Sequence, residues 1–263
     1  MVRPKKFLGQ HFLKDQNIAA KIVEALQLPA GENVVLEIGP GTGVLTKLLA
    51  QRTDLELQLA EIDRESVAYL KEHFPDLRDK ITEGDFLKMN LQDFTKGDIH
   101  LIGNFPYNIS SQIFFKVLEH RGQVKQVVCM LQKEVAERIA EKEGSKTYGI
   151  LSVLLQAFYS IEYLFKVPPG VFFPPPKVMS AVIRLTRNDR AHLACDEALF
   201  FKVVKQSFQN RRKTLRNALK PLNLPAQITT LDMLDLRAEQ LSVEEFILLT
   251  DKIEKAREGV RSV

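Results

Sequence analysis

Apolar residues along the first 185 positions follow two alternating patterns. Short continuous apolar runs, which predict buried strands, alternate with stretches in which apolar residues recur every three or four positions, which predict helices. The strands predicted in this way cover 34–38, 56–62, 80–83, 99–103 and 124–131, and helices are predicted at 43–52, 64–74 and 110–120. An earlier helix is predicted to begin after Asp15, which can cap it.

The order of these elements predicts an α/β fold. Strands that are apolar throughout are typical of a parallel sheet whose two faces are covered by helices. Alternation of strands and helices with right-handed crossovers then gives a doubly wound, mostly parallel, Rossmann-like sheet. After a helix near 150–159, the apolar runs 163–167 and 179–185 are predicted to complete a seven-stranded sheet as an antiparallel hairpin.

The pattern changes after Thr186. Residues 187–196 are polar and charged, and beyond them only helical spacing remains, including a capping box formed by Ser242 and Glu245. The chain is therefore predicted to contain two domains, an α/β domain over residues 1–187 and a small all-helical domain over residues 188–263.

The charge distribution predicts a polyanionic partner. The chain has 263 residues and a net charge of only +4. Residues 201–220, however, contain seven lysines and arginines and no acid, and a second basic stretch lies in residues 1–15. Such a concentration of positive charge in two segments of an otherwise mildly acidic chain favours a polyanionic partner that binds at these segments. For residues 201–220 the alternative is a solvated helix face.

Composition argues against several classes of protein. With 45% hydrophobic and 27% charged residues, the chain is ordinary for a globular protein. It has no apolar run as long as a membrane span and no secretion signal at its N-terminus. Cys129 and Cys195 lack the spacing of metal ligands or of a redox pair. We therefore expect reduced, structural cysteines, no metal site, no membrane contact and a cytoplasmic location.

Three chemical motifs follow successive predicted strands. The glycine-rich turn at 39–43 follows the first, and its glycines let the backbone approach a ligand closely at a helix N-terminus. Glu61 ends the second strand, where an acid can bind both hydroxyls of a ribose, and Asp63 is a rival for this role. Asp85 follows the third strand and can accept a hydrogen bond from an adenine amino group. Ligands bind at this edge of an open α/β sheet.

The fourth strand ends in the most informative stretch, Leu-Ile-Gly-Asn-Phe-Pro-Tyr at 101–107. The side-chain oxygen of Asn104 can accept a hydrogen bond from a planar amine, and the carbonyl of Phe105 is predicted to accept a second. Pro106 stiffens the corner and Tyr107 offers a flat face to a base. Phe172 is predicted to cover the other face of that base. The alternatives are an ordinary proline turn here and, for Phe172, an apolar anchor for the rigid proline loop that follows it.

Six stretches of the sequence, taken together, are specific for one protein family. They are Leu-Gly-Gln-His-Phe-Leu at 8–13, Glu-Ile-Gly-Pro-Gly-Thr-Gly at 37–43, Glu-Gly-Asp-Phe at 83–86, Asn-Phe-Pro-Tyr-Asn-Ile-Ser at 104–110, Phe-Phe-Pro-Pro-Pro-Lys-Val at 172–178 and Arg-Arg-Lys-Thr-Leu-Arg-Asn at 211–217. With them the chain resembles the ribosomal RNA adenine N6,N6-dimethyltransferase family over nearly its full length, nearest to the bacterial branch that acts on small-subunit RNA.

This resemblance implies a methyltransferase fold and S-adenosylmethionine as the cofactor. The family's cofactor-binding positions correspond to His11, Leu13, Gly39, Glu61, Asp85 and Asn104. Three positions depart from the family pattern. Position 11 is His where Asn is common, position 105 is Phe where Leu or Ile is usual, and position 179 is Met where Asp is frequent. The first two leave the expected contacts in place, and we have no functional interpretation of Met179.

The resemblance also implies the reaction. It is the transfer of methyl groups to N6 of two adjacent adenosines in small-subunit (16S) ribosomal RNA during ribosome maturation. The expected partner is this RNA within a pre-ribosomal particle, and the expected enzyme is a monomer. The RNA contacts are expected from the helical domain, through Arg211, Arg212, Lys213 and Arg216. Two alternatives are a large-subunit RNA methyltransferase of the antibiotic-resistance type and a ribosome-assembly factor that has lost catalysis.

Overall fold

Apolar strands build a seven-stranded sheet in the computed structural model, which describes residues 2–31 and 33–261. In chain order, the strands are β1 (Phe12–Leu13), β2 (Val34–Ile38), β3 (Glu56–Glu61), β4 (Ile81–Glu83), β5 (Ile99–Asn104), β6 (Val124–Gln132), β7 (Tyr159–Val167), β8 (Phe172–Phe173) and β9 (Ser180–Arg187). The sheet has the order β4-β3-β2-β5-β6-β9-β7, and β1 and β8 form a separate antiparallel pair.

Helices lie between the strands and make up the C-terminal part of the chain. They are α1 (Gln16–Glu24), α2 (Thr46–Leu49), α3 (Arg64–His73), α4 (Ser110–Glu119), α5 (Lys133–Ala140), α6 (Ile150–Gln156), α7 (Glu197–Phe208), α8 (Leu215–Ala218) and α9 (Val243–Arg261). The predicted cap of α1 is confirmed, because the Asp15 carboxylate accepts hydrogen bonds from the backbone N–H groups of Asn17 and Ile18 at 2.9 and 3.0 Å.

Five neighbouring strands of the sheet, in the order β4-β3-β2-β5-β6, are parallel to one another. Strand β9 is antiparallel to β6. The predicted α/β fold with a mostly parallel, seven-stranded sheet is thus confirmed. The five parallel strands begin and end within one residue of the predicted positions. The two later apolar runs are neighbours in the sheet, as strands β7 and β9.

Helix α2 is shorter than predicted because the glycine-rich turn occupies the residues before it. Gly39, Gly41 and Gly43 have φ angles of 66°, 57° and 78°, a backbone region that side chains other than glycine's rarely adopt. The helix can therefore begin only after this turn. The carboxyl ends of β2, β3, β4 and β5 lie at one edge of the sheet because these strands are parallel.

The chain divides into two compact units. The first contains Met1–Ala136 and Ser160–Arg187, and the second contains Glu137–Tyr159 and Asn188–Val263. One division between the units therefore lies between Arg187 and Asn188. The sequence pattern had placed residues 137–159 with the sheet, whereas the structure groups them with the helical unit.

The second unit has a core formed by the apolar faces of its helices. Phe200 of α7, Leu215 of α8 and Phe246 of α9 are completely buried, and all three lie in the part of the chain where only helical spacing was predicted. The predicted capping box at the start of α9 is present, because Ser242 N–H donates to the Glu245 carboxylate at 2.8 Å and Glu245 N–H donates to the Ser242 hydroxyl at 3.2 Å.

Candidate active site

The glycine-rich turn leaves open space beside the end of β2. A Cβ atom on Gly41 would lie 2.8 Å from the ring of Phe12, and one on Gly43 would lie 2.5 Å from the ring of Phe74. These two glycines therefore allow close packing within the protein. Gly39 is different, because a Cβ atom there would meet nothing within 4 Å. The space in front of Gly39 can hold a ligand.

Glu61 is held at the end of β3 by two backbone amides. Its Oε2 atom accepts from Gly41 N–H and its Oε1 atom accepts from Asp63 N–H, each at 2.9 Å. The residue is only 3% exposed, and burial raises the pKa of its carboxyl in spite of these hydrogen bonds. Each carboxylate oxygen can accept more than one hydrogen bond, so the pair can still receive two hydroxyl groups from the cavity that it lines.

Asp63, the rival of Glu61, is occupied by structural contacts. It caps α3, and its carboxylate accepts from the hydroxyl of Ser66 at 3.0 Å and forms an ion pair with Lys5. Gln10 Nε2 also donates to it at 3.3 Å. Asp63 does not line the cavity, which favours Glu61 as the acid that faces a ligand.

Asp85 follows β4 and lines the same cavity. Its Oδ1 atom accepts from Leu87 N–H at 3.0 Å and so begins a short 3-10 helix. Its Oδ2 atom has no hydrogen-bond partner among the residues that the structure describes. A carboxylate oxygen is thus available to an amino group in the cavity.

The side chain of Asn104 has a defined orientation at the end of β5. Its Nδ2 atom donates to the main-chain carbonyl of His11 at 2.8 Å. This contact fixes which end of the amide is the donor and leaves Oδ1 as the acceptor. Phe105, the next residue, donates its N–H to Met130 at 2.9 Å and packs its ring edge-on against Phe114, with ring centroids 6.0 Å apart. The corner is therefore anchored on both sides.

Tyr107 is positioned by its hydroxyl and by a neighbouring ring. The hydroxyl forms a hydrogen bond of 2.5 Å with the hydroxyl of Ser180, and burial raises the pKa of the phenol. The ring lies 5.4 Å from the His11 imidazole, at an interplanar angle of 31°. His11 Nδ1 is in turn hydrogen-bonded to the carbonyl of Pro174 at 2.7 Å. Tyr107 is neutral near pH 7 and offers a fixed planar face.

The structure brings seven of the predicted site residues together in one cavity of about 270 Å³. They are His11, Gly39, Glu61, Asp85, Asn104, Phe105 and Tyr107. Leu13 is 5% exposed and does not line it; it lines a smaller adjoining cavity of about 30 Å³ together with Gly39 and Asn104.

Phe172 does not lie where the sequence interpretation placed it. Its side chain is only 1% exposed and packs in the core of the first unit, so it does not line the cavity in this structure. Phe172 pairs with Leu13, and Phe173 pairs with Phe12. Because side chains alternate along a strand, the exposed ring of this pair is that of Phe173, at 53% exposure. The alternative interpretation of Phe172, an apolar anchor for the proline loop, agrees with its burial.

Glu37 was missed by the sequence interpretation. It lies in β2 with 1% exposure, lines the small cavity, and accepts from the Thr46 hydroxyl at 2.7 Å. Burial, with a smaller contribution from the charge of Glu61, raises the pKa of Glu37 to about 8. A signal was present in the sequence, since a single acid in the apolar run Val-Val-Leu-Glu-Ile has to be buried or bound.

The basic residues predicted to bind RNA lie in the second unit, and two of them have internal partners. Arg216 forms an ion pair with Asp235 at 2.7 Å, and Arg211 donates to the carbonyl of Tyr148. Arg212 and Lys213 are exposed, and their side chains have no hydrogen-bond or ion-pair partner among the described residues. All three residues from Arg211 to Lys213 lie in the turn between α7 and α8, not on a helix.

None of the helices in the described residues is both long and apolar enough to cross a membrane. In the same part of the chain, no three His, Cys, Asp or Glu side chains form a group that could hold a metal ion. Neither cysteine is in a disulfide; Cys129 is buried and Cys195 is partly exposed.

Comparisons with known proteins agree over nearly the whole chain. A family model described as ribosomal RNA adenine dimethylase matches residues 1–255. Ribosomal RNA small subunit methyltransferase A of Cytophaga hutchinsonii is 58% identical over 252 residues, which cover 96% of this chain and 98% of that protein. The protein of the same name from Flavobacterium johnsoniae is 57% identical over 262 residues, with 99% of each chain covered.

Solved structures show the same architecture. A dimethyladenosine transferase from Plasmodium falciparum has a TM-score of 0.79 and 28% identity, with 94% of this chain and 98% of that chain covered. The 23S rRNA methyltransferase ErmE has a TM-score of 0.67 and 26% identity, with 91% and 99% covered.

Proposed function

Because this chain belongs to the ribosomal RNA adenine dimethylase family, we propose that its cavity binds S-adenosylmethionine beside a flipped adenine base. The chain is an rRNA methyltransferase of the small-subunit type. The reaction is the transfer of methyl groups to N6 of two adjacent adenosines in small-subunit ribosomal RNA. The single observation that best supports the proposed site is the orientation of Asn104, whose amide oxygen is free to accept from an amine.

The residues of the cavity suit this cofactor. The described residues that line it include the acids Glu61 and Asp85 but no lysine or arginine, which favours a cationic ligand such as a sulfonium with an ammonium group. Glu61 would bind the ribose hydroxyls, Asp85 would accept from the adenine amino group, and the open space at Gly39 would take the amino-acid end. When bound, S-adenosylmethionine would supply an electrophilic methyl group.

Asn104, Phe105 and Tyr107 would act on the target base. An adenine amino nitrogen is a poor nucleophile because its lone pair is delocalised into the ring. Hydrogen bonds from its two N–H groups to Asn104 Oδ1 and to the Phe105 carbonyl favour a pyramidal nitrogen and so localise the pair. Tyr107 stacks on the base and fixes its plane. No strong base is needed, because the nitrogen's proton becomes acidic once the nitrogen is alkylated.

The target adenine has to leave its stack to reach this corner. With Phe172 in the core, only one aromatic face of the predicted clamp, that of Tyr107, lines the cavity. The exposed ring of Phe173 is our candidate for a contact with RNA outside the cavity. Arg212 and Lys213 are our candidates for phosphate contacts in the second unit. We also propose that the enzyme acts as a monomer, in the cytoplasm, on a pre-ribosomal particle.

The proposed function can be tested by mass spectrometry of ribosomal RNA. Purified protein and S-adenosylmethionine are incubated separately with unmethylated small and large ribosomal subunits. We expect N6,N6-dimethyladenosine at two adjacent positions of the small-subunit RNA only. Methylation of the large subunit instead would support the antibiotic-resistance alternative, and no methylation of either would support a non-catalytic assembly factor.

A further inference from the structure

A second cavity, of about 450 Å³, adjoins the candidate active site. The two cavities share Gly9, Gln10, His11 and Tyr107 in their linings. The wall between them is therefore the N-terminal loop and the paired rings of His11 and Tyr107, whose centroids are 5.4 Å apart. Tyr107 is thus exposed to a ligand from either side. The proposed reaction gives the second cavity no role in binding the cofactor or the reacting adenine.

The two cavities differ in charge. The first contains two acids and no lysine or arginine among its described lining residues, whereas the second contains Lys6 and Lys177 and no acid. Both lysines are exposed, and neither has an ion-pair partner among the described residues. The neighbouring Lys5, by contrast, is bound to Asp63 and Glu65. The second cavity is therefore complementary to an anion, and the first is not.

The rest of the second lining suits a nucleotide. Pro174 and Pro175 provide exposed apolar surface beside the His11 imidazole. Gln132, the last residue of β6, is half-buried, and its side-chain amide has no hydrogen-bond partner among the described residues. The amide of Gln10 is already used, since it accepts from Lys5 N–H at 2.8 Å and donates to Asp63. A glutamine amide can bind the N6 and N7 atoms of adenine in a bidentate manner.

We propose that the second cavity binds the nucleotide adjacent to the adenosine being methylated. Its phosphate lies between Lys6 and Lys177, its base lies against His11 and the prolines, and Gln132 contacts the base edge. This inference rests on the proposed function and deepens it. Since the substrate contains two adjacent adenosines, the second adenosine would occupy this cavity while the first reacts.

The test uses unmethylated small ribosomal subunits and three purified proteins. They are the wild type, the double variant Lys6→Ala/Lys177→Ala, and a control, Lys71→Ala/Lys96→Ala, which removes two exposed lysines from other surfaces of the same unit. The measurements are the KM for subunits, its dependence on salt, and S-adenosylmethionine affinity by calorimetry. Loss of the contact to the one single-strand phosphate that the two lysines share should raise the KM and reduce the salt slope by about 0.7. Cofactor affinity should match that of the wild type.

Three outcomes would overturn the inference while leaving the proposed function intact. They are a KM and salt slope equal to those of the control, a loss of cofactor affinity in the Lys6/Lys177 variant, and failure of Lys6→Arg/Lys177→Arg to restore the KM. If the wild-type protein does not methylate small subunits at all, it is the proposed function that fails. The two failures are therefore distinguishable.

A second variant tests the contact with the base edge. Gln132→Leu keeps approximately the volume and removes the amide, so the lysine contacts and the cofactor affinity should remain. Loss of one bidentate contact to adenine should lower methylation by roughly 10-fold. Mass spectrometry should show a changed ratio of the products at the two adenosines, because only one of them at a time lies in the second cavity. An unchanged rate and ratio would exclude the role of Gln132.

Discussion

Asn104 Nδ2 donates a hydrogen bond of 2.8 Å to the main-chain carbonyl of His11, which lies 93 residues earlier in the chain. The contact uses a backbone atom, so the identity of residue 11 does not alter it. The His at this position is therefore compatible with an active corner. The same loop also reaches Pro174 through the His11 ring, at 2.7 Å.

Loss of the Glu61 carboxylate should weaken cofactor binding. Glu61→Ala removes the proposed acceptor of both ribose hydroxyls and should cost roughly 1.5–3 kcal/mol of S-adenosylmethionine binding free energy. Glu56→Ala is a matched control, because Glu56 lies at the opposite end of β3, where it is exposed and paired with Lys80. Calorimetry that gives equal affinities for both variants would contradict the assignment.

Glu37 should make the stability of the protein depend on pH. Its pKa is about 8 in the folded protein and 4.5 when the group is free in water. Between these two values the unfolded chain binds fewer protons than the folded one, so the free energy of unfolding falls as pH rises. The maximum slope for one such group is about 1.4 kcal/mol per pH unit. Glu37→Gln keeps an acceptor for Thr46 and should flatten this dependence in urea unfolding between pH 5 and pH 8.

The effect of Glu37→Gln should be partial, because Glu61 is also buried with a raised pKa. Glu61 contributes to the residual slope of the variant, and this contribution should diminish when cofactor is added. A variant whose unfolding free energy changes with pH as steeply as that of the wild type would mean that Glu37 is ionised in the folded protein.

Among the basic residues of the second unit, Arg212 and Lys213 should contribute most to RNA binding. Arg212→Ala/Lys213→Ala should weaken binding to small ribosomal subunits and lower the salt slope, by roughly 0.7–0.9 per phosphate contact. Lys142→Ala/Lys252→Ala removes two exposed lysines of the same unit and serves as the control. Equal slopes for the two variants would identify residues 211–213 as a solvated surface.

The site residues that could be predicted from the sequence are those that lie at the end of a strand or directly after it. Gly39, Glu61, Asp85 and Asn104 each follow or end a strand of clear apolar pattern, and parallel pairing brings strand ends together. The local pattern was sufficient to predict these four residues, because parallel strands place their carboxyl ends at the same edge of the sheet.

Other features depend on contacts between distant parts of the chain. Which of Phe172 and Phe173 is buried is set by pairing with Phe12 and Leu13, and a one-residue change of register would exchange them. In the same way, the partner of Arg216 is Asp235, in a later 3-10 helix. An acid-free basic run does not reveal such a partner, because the compensating acid lies outside the run.

Asn104→Ala should separate binding from chemistry. The proposed hydrogen bond to Oδ1 strengthens as the amino nitrogen becomes pyramidal, so its loss should appear mainly in the rate, at on the order of 100-fold or more by analogy with lost oxyanion-hole donors. Asn104→Asp keeps an acceptor but removes the donor to the His11 carbonyl and places two oxygens against each other. We therefore expect it to be slow as well, because the side chain turns away from its native orientation.

Single-turnover methylation at saturating cofactor and subunits isolates this chemical step from any change in binding. Subunit affinity should remain close to that of the wild type, since it depends on phosphate contacts elsewhere. A near wild-type rate for Asn104→Ala would mean that this side chain only holds the N-terminal loop through His11. The proposed contact between Asn104 and the adenine amine would then have to be abandoned. A slow Asn104→Ala with normal binding of both substrates is the result that the geometry of the corner predicts.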